Sequence, residues 1–413
     1  MAMEAEEVEC IRGGYLPAES SRASNLAELI FRPTESEDDS QPIFMGTVGN
    51  RTFDVSLRAL RHTALYLLEQ VKTRGLQRGD TICLLRLPRT SETVIAAAYV
   101  ALTAGGYRVL FPMYLEPDSF QDWLRISNTR AVLWSLRELR DSIDNESDLA
   151  LADRLGSMIS GLNIPSYCLW DDLKVPELLQ GKYAPASSGD ANALDLLDAA
   201  DPESECLVLT TSGSSGRSKL VVYRQKAFLL SCVAWELAGM FQPDRLGGRT
   251  LCLLLAHSIG LRALWNALWT RQSLCLIPPE WFLEHPERVR TLLLRMRPQH
   301  VTGGPAVFRT LLELARVFPD VKESCFRDLR CGVSSGAPFD HEMSQKLEAA
   351  LGLKLENAFG TTETMQVLST LAEGPFESGM GNPLPSVAIR LEPYSDTDHP
   401  LFRLQIRSPF GCY

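Results

Sequence analysis

The segment Cys206 to Tyr223, CLVLTTSGSSGRSKLVVY, constrains the fold of this 413-residue chain more than any other stretch. An apolar run leads into seven consecutive Ser, Thr and Gly residues, Thr210 to Gly216, followed by Arg217, Lys219 and a second apolar run, Leu220-Val221-Val222. Flexible Ser/Gly linkers are not normally clamped between two strand-like runs. Such a bend can wrap phosphate oxygens. Glycine lets the main chain approach closely, hydroxyls and amides donate hydrogen bonds, and Lys219 adds a point charge. A Walker A loop would need Gly and Ser/Thr on either side of the lysine, where Ser218 and Leu220 stand. A hydrolase elbow needs Gly-x-Ser-x-Gly, and the order is Gly213-Ser214-Ser215-Gly216.

Around this bend the chain alternates between two periodicities. Leu57, Leu60, Ala64, Leu67, Leu68 and Val71 have helical spacing, closed by Gly75. A strand is expected at 81–87, a helix at 91–103 and strands at 108–111 and 131–134, an alternation that makes βαβ units and a parallel sheet. The connector 181–205, rich in Ala, Ser, Asp and Gly, sets an expected boundary. Beyond it, strands are expected at 206–210, 250–255, 274–277, 329–332 and 353–358, with helices at 286–297, 305–317 and 338–350. Past Gly379, alternation of Val387, Ile389 and Leu391, then Phe402, Leu404 and Ile406, suggests antiparallel strands.

The expected architecture is therefore α/β: one α/β subdomain over 1–200, a second over 201–370 with the phosphate loop, and the start of a small antiparallel β subdomain over 371–413. The net charge of −10 gives no field to hold DNA, so nucleic acid is not an expected partner. The ten cysteines contain no C-x-x-C pair, and several sit in apolar runs; they read as reduced core thiols. No apolar run reaches the roughly 18–20 residues of a membrane span, and Glu4, Glu6, Glu7 and Glu9 do not resemble a secretory signal. A cytoplasmic location is the expectation.

Thr210 to Lys219 resembles the TSGTTGxPK signature of the AMP-forming adenylating enzymes, the superfamily of acyl- and aryl-CoA synthetases, peptide-synthetase adenylation domains and luciferases. Further segments resemble the family's motifs in order: Leu102 to Pro112 its LKAGxxYVPxD turn, Leu254 to Gly260 its PLFHxxG, Ser335 to Pro338 its GGAPL, and Asn357 to Glu363 its YGxTE. Gly379 to Pro385 is similar to GSVGxPLPG, and Gly411-Cys412-Tyr413 to the GY of the next motif. Ser218 replaces the signature proline, and Phe359 replaces a tyrosine while keeping a ring for stacking.

What the resemblance implies can be stated position by position. Thr211, Ser212, Gly213, Ser214, Ser215, Gly216 and Lys219 would hold the β- and γ-phosphates of ATP. Thr362 would bond the α-phosphate and Glu363 would hold Mg²⁺, so that Lys219, Thr362 and Glu363 form the catalytic set. Ser335, Gly336 and Ala337, with Asn357, Ala358, Phe359 and Gly360, would form the adenine slot. His257, Ser258, Gly260, Ala306, Val307 and Met365 would lie on the acid side. The stripe Leu261, Trp265 and Leu268 or Trp269 reads as core. Amino-acid-activating relatives carry an Asp near His257, and Ala256-His257-Ser258-Ile259 has none, which favours an aryl, fatty or other unaminated acid. The expected activity is formation of an acyl-adenylate with release of pyrophosphate, then transfer to coenzyme A or to the phosphopantetheine of an acyl or peptidyl carrier protein. A non-catalytic ATP- or acyl-AMP-binding module is the alternative. The family's TGD aspartate, hinge and lysine-bearing mobile C-terminal domain would lie beyond Tyr413, so the chain is expected to correspond to the N-terminal core.

Overall fold

A computed structural model describes residues 11–13, 23–32, 41–48, 51–87, 90–113, 117–135, 154, 156–181, 195–197, 201–211, 219–242, 248–337, 341–372, 379–393 and 402–412. Its strands form three sheets. One has the order β7 (Ser166–Cys168), β6 (Thr129–Trp134), β4 (Thr81–Leu85), β5 (Arg108–Phe111), β8 (Glu205–Thr210), β9 (Leu220–Arg224), parallel except for the antiparallel β8–β9 edge. The second runs β16 (Asn382–Pro383), β15 (Met365–Ser369), β14 (Lys354–Thr361), β13 (Cys331–Ser334), β12 (His300–Gly303), β10 (Thr250–Cys252), β11 (Leu274–Leu276), β2 (Phe44–Val48), β3 (Arg51–Val55). Its centre, from β14 to β2, is parallel, and antiparallel pairs close both ends. The third is antiparallel: β1 (Ile11–Arg12), β17 (Ala388–Pro393), β18 (Phe402–Arg407). The expected α/β class with a small antiparallel sheet is thus the architecture observed.

Strand periodicity distributes the core into layers. Along β4, Ile82 and Leu84 join a central cluster while Cys83 and Leu85 join one on the other face; along β11, Leu274 and Leu276 face the centre and Cys275 faces away. Helices Leu57–Thr73, Glu92–Ala104, Gln225–Leu237 and Ser258–Thr270 contribute to the central cluster between the two large sheets. Pro286–Met296, Pro305–Val317 and His341–Leu351 cover the outer face of the nine-stranded sheet. Ser56 caps Leu57–Thr73 by accepting the Ala59 amide at 3.2 Å, and Gly75, at φ +83°, turns the chain out of it.

The sheets do not part at residue 200. β2 and β3 precede that position yet complete the nine-stranded sheet, and β8 and β9 follow it yet complete the six-stranded one. Parallel strands need long crossovers, so sheet neighbours need not be sequence neighbours. Of the connector 181–205, only Gly181, 195–197 and 201–205 belong to the described residues. Nine cysteines are described, none in a disulfide and all buried except the half-buried Cys412; burial pushes up the thiols of Cys83, Cys206 and Cys232.

An ion pair orients the two large sheets. Arg86 follows β4 and pairs with Glu280, which follows β11. The carboxyl-terminal edges of both sets of parallel strands therefore lie side by side, where open α/β sheets bind ligands.

Candidate functional site

On that shared edge the phosphate-loop candidate springs from the β8–β9 hairpin, whose register places Thr210 opposite Leu220. Thr211 donates its amide to the Lys219 carbonyl at 2.9 Å, and the Lys219 amide reaches back to Thr211 Oγ1 at 3.4 Å. Both ends of the bend are fixed, and the Lys219 side chain is exposed. Ser212, Gly213, Ser214, Ser215 and Gly216 lie outside the described residues. The Met113 amide donates to Thr210 Oγ1 at 3.2 Å, joining the end of the Leu102–Pro112 motif to the start of this loop.

The second turn carries Thr362 and Glu363 and closes the β14–β15 hairpin. Thr361 donates its amide to Thr364 Oγ1 at 3.0 Å, and Thr364 donates its own to the Thr361 carbonyl at 3.3 Å. Gly360 is required there, since a Cβ would sit 1.8 Å from the Met365 carbonyl oxygen. The Glu363 carbonyl accepts the Cys412 amide at 2.7 Å, which leaves its exposed carboxylate free of that task. Burial, then the charges of Cys412 and Glu363, raise the phenol of Tyr223 on β9; burial and Glu363 also raise the Cys412 thiol. Tyr223 on β9 and Met365 on β15 both enter the central core, so the two turns spring from strands that share one interior.

The candidate adenine slot lies along β13 and β14, on the strand that leads into the second turn. Ser334 pairs with both Gly303 and Asn357 across β12, β13 and β14, and the Ser335 amide donates to the Gly303 carbonyl at 3.0 Å. Gly336, at φ +90°, and Ala337 are exposed, and a Cβ on Gly336 would meet Ile259 Cδ1 at 3.8 Å. Asn357 exchanges hydrogen bonds with Thr370 and donates from Nδ2 to the Gly379 carbonyl at 3.2 Å, bringing the 379–385 motif to the same place. Ala358 is buried, and Phe359 is half-buried against the central core.

The acid-side residues separate into two groups. His257 caps helix Ser258–Thr270 through Nδ1, which accepts the Ile259 amide at 3.2 Å; burial lowers its pKa. Ser258 adjoins it, with Oγ 3.4 Å from His257 Nδ1, and Ala306 is exposed at the start of helix Pro305–Val317. Gly260, Val307 and Met365 have packing roles. A Cβ on Gly260 would lie 2.0 Å from the Leu254 carbonyl oxygen, Val307 packs on Gly303 within the outer core, and Met365 is buried in the central one. Leu261, Trp265, Leu268 and Trp269 are buried, as their helical stripe leads one to expect.

Sequence reasoning missed the polar cluster Arg86, Glu92 and Glu280. Arg86 donates to Glu92 and bidentately to Glu280; against the lowering effect of burial, both carboxylates hold the guanidinium pKa up. Glu92 lies six residues from Arg86 but Glu280 lies 194 away, so local spacing could not have shown that the three meet. It also missed Arg262, buried one turn into the His257-capped helix.

For a divalent ion, the Glu363 turn offers one exposed carboxylate flanked by the hydroxyl-bearing Thr361, Thr362 and Thr364. Among the described residues no group of three or more His, Cys, Asp or Glu side chains could hold a metal. One or two carboxylates completed by substrate phosphates is the donor set Mg²⁺ takes, so these residues fit it.

Comparison with known proteins names the class. The chain belongs to the AMP-binding enzyme family, whose model matches residues 42–399. It is 29% identical over 199 residues to anthranilate–CoA ligase of Pseudomonas aeruginosa, covering 46% of this chain and 35% of that protein. It is 24% identical over 322 residues to the long-chain-fatty-acid–CoA ligase of Bacillus subtilis, covering 74% and 54%. The chain thus spans about a third to a half of these relatives. In structure it is similar to the anthranilate CoA ligase AuaEII in complex with anthranoyl-AMP, with TM-score 0.69, 16% identity and coverage of 96% and 70%. It is also similar to the McyG A-PCP complexed with phenylalanyl-adenylate, with TM-score 0.71, 18% identity and coverage of 98% and 62%. At those identities the likeness is one of fold.

Proposed function

We propose that this chain activates a carboxylic acid with ATP. A carboxylate oxygen attacks the α-phosphorus, the bond from that phosphorus to the bridging oxygen breaks, and pyrophosphate leaves an acyl-adenylate. Thr211 and Lys219, with the bend between them, hold the β- and γ-phosphates; Thr362 orients the α-phosphate; Ser335, Gly336, Ala337 and the 357–360 strand enclose adenine. When bound through Glu363, Mg²⁺ supplies charge neutralisation along the phosphate chain. The protein's contribution is chiefly positioning and preorganised electrostatics. His257 acts from the acid side, neutral, because protonation would break its cap on Ile259.

The observation that supports this reading is the pair of closed turns, Thr211–Lys219 on β8–β9 and Thr361–Thr364 on β14–β15, whose strands send Tyr223 and Met365 into one central core. The relatives' names support a coenzyme A thiol as acceptor, and the likeness to McyG A-PCP supports a carrier-protein phosphopantetheine as the other. A cytoplasmic setting suits both substrates; among the described residues no helix is long and apolar enough to cross a membrane. The test is ATP–pyrophosphate exchange by the full-length protein across a panel of carboxylic acids. Acid-dependent exchange is expected, whereas ADP release, or ATP binding with no exchange for any acid, contradicts the reading.

A further inference from the structure

Arg262 is a cation without a described counter-charge. Its side chain is 3% exposed, and among the described residues Nε has no hydrogen-bond partner and Nη2 reaches only Thr302 Oγ1, at a long 3.5 Å. The guanidinium lies 3.9 Å over the Trp235 ring. Burial pushes its pKa down to about 10, with only the thiols of Cys232 and Cys252 acting against it among the described residues. A buried cation left unpaired costs several kcal/mol, which an anion would offset.

Space for one is present. A cavity of about 30 Å³ is lined by Arg262, Thr250, Asn266 and Thr302, with Ala263 and Val333 on its apolar side. That is room for about two waters, or for one carboxylate. Its position relates it to the proposed acid site. Thr302 precedes Gly303, the acceptor of the Ser335 amide; Val333 precedes Ser334; and Arg262 lies three residues, about 4.5 Å of helix rise, beyond the Ile259 that faces Gly336.

Resting on the acid-activation reading, we propose that this cavity is the far end of the acyl subsite and that Arg262 receives a second, anionic group of the substrate. The acid activated is then a short dicarboxylic acid, one carboxylate meeting ATP at the exposed slot and the other pairing with the guanidinium, while Trp235 holds the guanidinium plane. Thr302 and Asn266 supply polar neighbours without competing negative charge.

Calorimetric titration of the full-length protein with chain-matched pairs tests this: succinate against butyrate, glutarate against valerate, adipate against hexanoate. At least one diacid should bind tenfold or more tightly than its monoacid, and Arg262→Met should reduce that preference to within twofold. Arg262→Lys, which keeps the charge but loses the planar fork, should retain part of it. Equal affinities in the wild type, no binding of any diacid, or a preference that survives Arg262→Met in protein with wild-type circular dichroism each overturns the proposal. Should Arg262→Met not fold, the wild-type pairs and Arg262→Lys decide alone. Asp244, in the segment 243–247 outside the described residues, provides a further arm. The preference must persist in Asp244→Asn; one that appears only in that variant means the partner is internal and overturns the proposal. ATP titration separates the two claims. Wild-type protein that binds no ATP overturns the activation reading, whereas ATP binding without diacid preference overturns this inference alone.

Discussion

Arg86 grips Glu280 with one guanidinium nitrogen 3.0 Å from each carboxylate oxygen, and so bolts the end of one parallel sheet to the end of the other. The same side chain also neutralises Glu92, whose side chain is 2% exposed, while that of Glu280 is 26% exposed. The two acids should therefore respond differently. Arg86→Gln leaves Glu92 as an unpaired buried charge and should cost about 3–5 kcal/mol. Glu280→Gln keeps the Arg86–Glu92 pair and should cost about 1 kcal/mol. Urea denaturation of both variants measures this, and equal costs would contradict it.

Lys219 and Glu363 should fail in distinguishable ways. The Lys219 main chain closes its own bend and Thr361 with Thr364 closes the other, so side-chain replacement at 219 or 363 leaves both hairpins intact. Lys219→Ala is expected to weaken ATP binding roughly 10- to 100-fold, the loss of one charge-assisted hydrogen bond. Glu363→Gln should instead raise the Mg²⁺ concentration needed for half-maximal exchange by at least roughly tenfold, the loss that even an outer-shell partner causes. Titrations of ATP at fixed Mg²⁺, and the reverse, separate the two.

Gly360 and Gly352 make a matched pair for backbone tolerance. Alanine at 360 would drive its Cβ into the Met365 carbonyl, 1.8 Å away, whereas Gly352 has φ +64° with nothing within 4 Å. Gly352→Ala should therefore cost about 1 kcal/mol of left-handed strain. Gly360→Ala should cost about 3 kcal/mol or more, because strands β14 and β15 must separate. Melting temperatures of the two proteins should be ordered accordingly.

His257 makes the helix cap acid-sensitive. Burial lowers its pKa in the folded protein, so the unfolded chain takes up the proton first. The cap's contribution is complete above the ordinary histidine value of about 6.5 and is lost as pH falls below it, toward the lower folded value. His257→Asn keeps a capping side chain and removes the titration. Between pH 7.5 and 5.5 the wild type should lose more stability than this variant, and a His257 NMR titration midpoint at or above the ordinary value would refute the assignment.

The sequence announced what is local and periodic. The stripe of Leu57 to Val71, the alternation at 387–406 and the hydroxyl-rich bend all follow from spacings of a few residues. Helix Gln225–Leu237 escaped notice because it is buried from Ala227 to Trp235 and so shows no polar face to set a period. The β2–β3 hairpin could not be assigned to the nine-stranded sheet, since its partner β11 lies more than 200 residues away. Within the candidate site, motif order indicated which segments meet. It did not show that Gly260 and Val307 serve packing, because a close backbone approach leaves no trace in residue type.

The alternation of β9 has a consequence for how the bend above it can drift. Val221 and Tyr223 plug into the central core, while Leu220 and Val222 press on the layer behind. A slip of one residue against β8 would turn every one of these side chains to the wrong layer. Lys219 is thus held in place by a ruler of greasy neighbours. Natural variation can rewrite the hydroxyls between 212 and 218, but it cannot shift the lysine without first dismantling the interior.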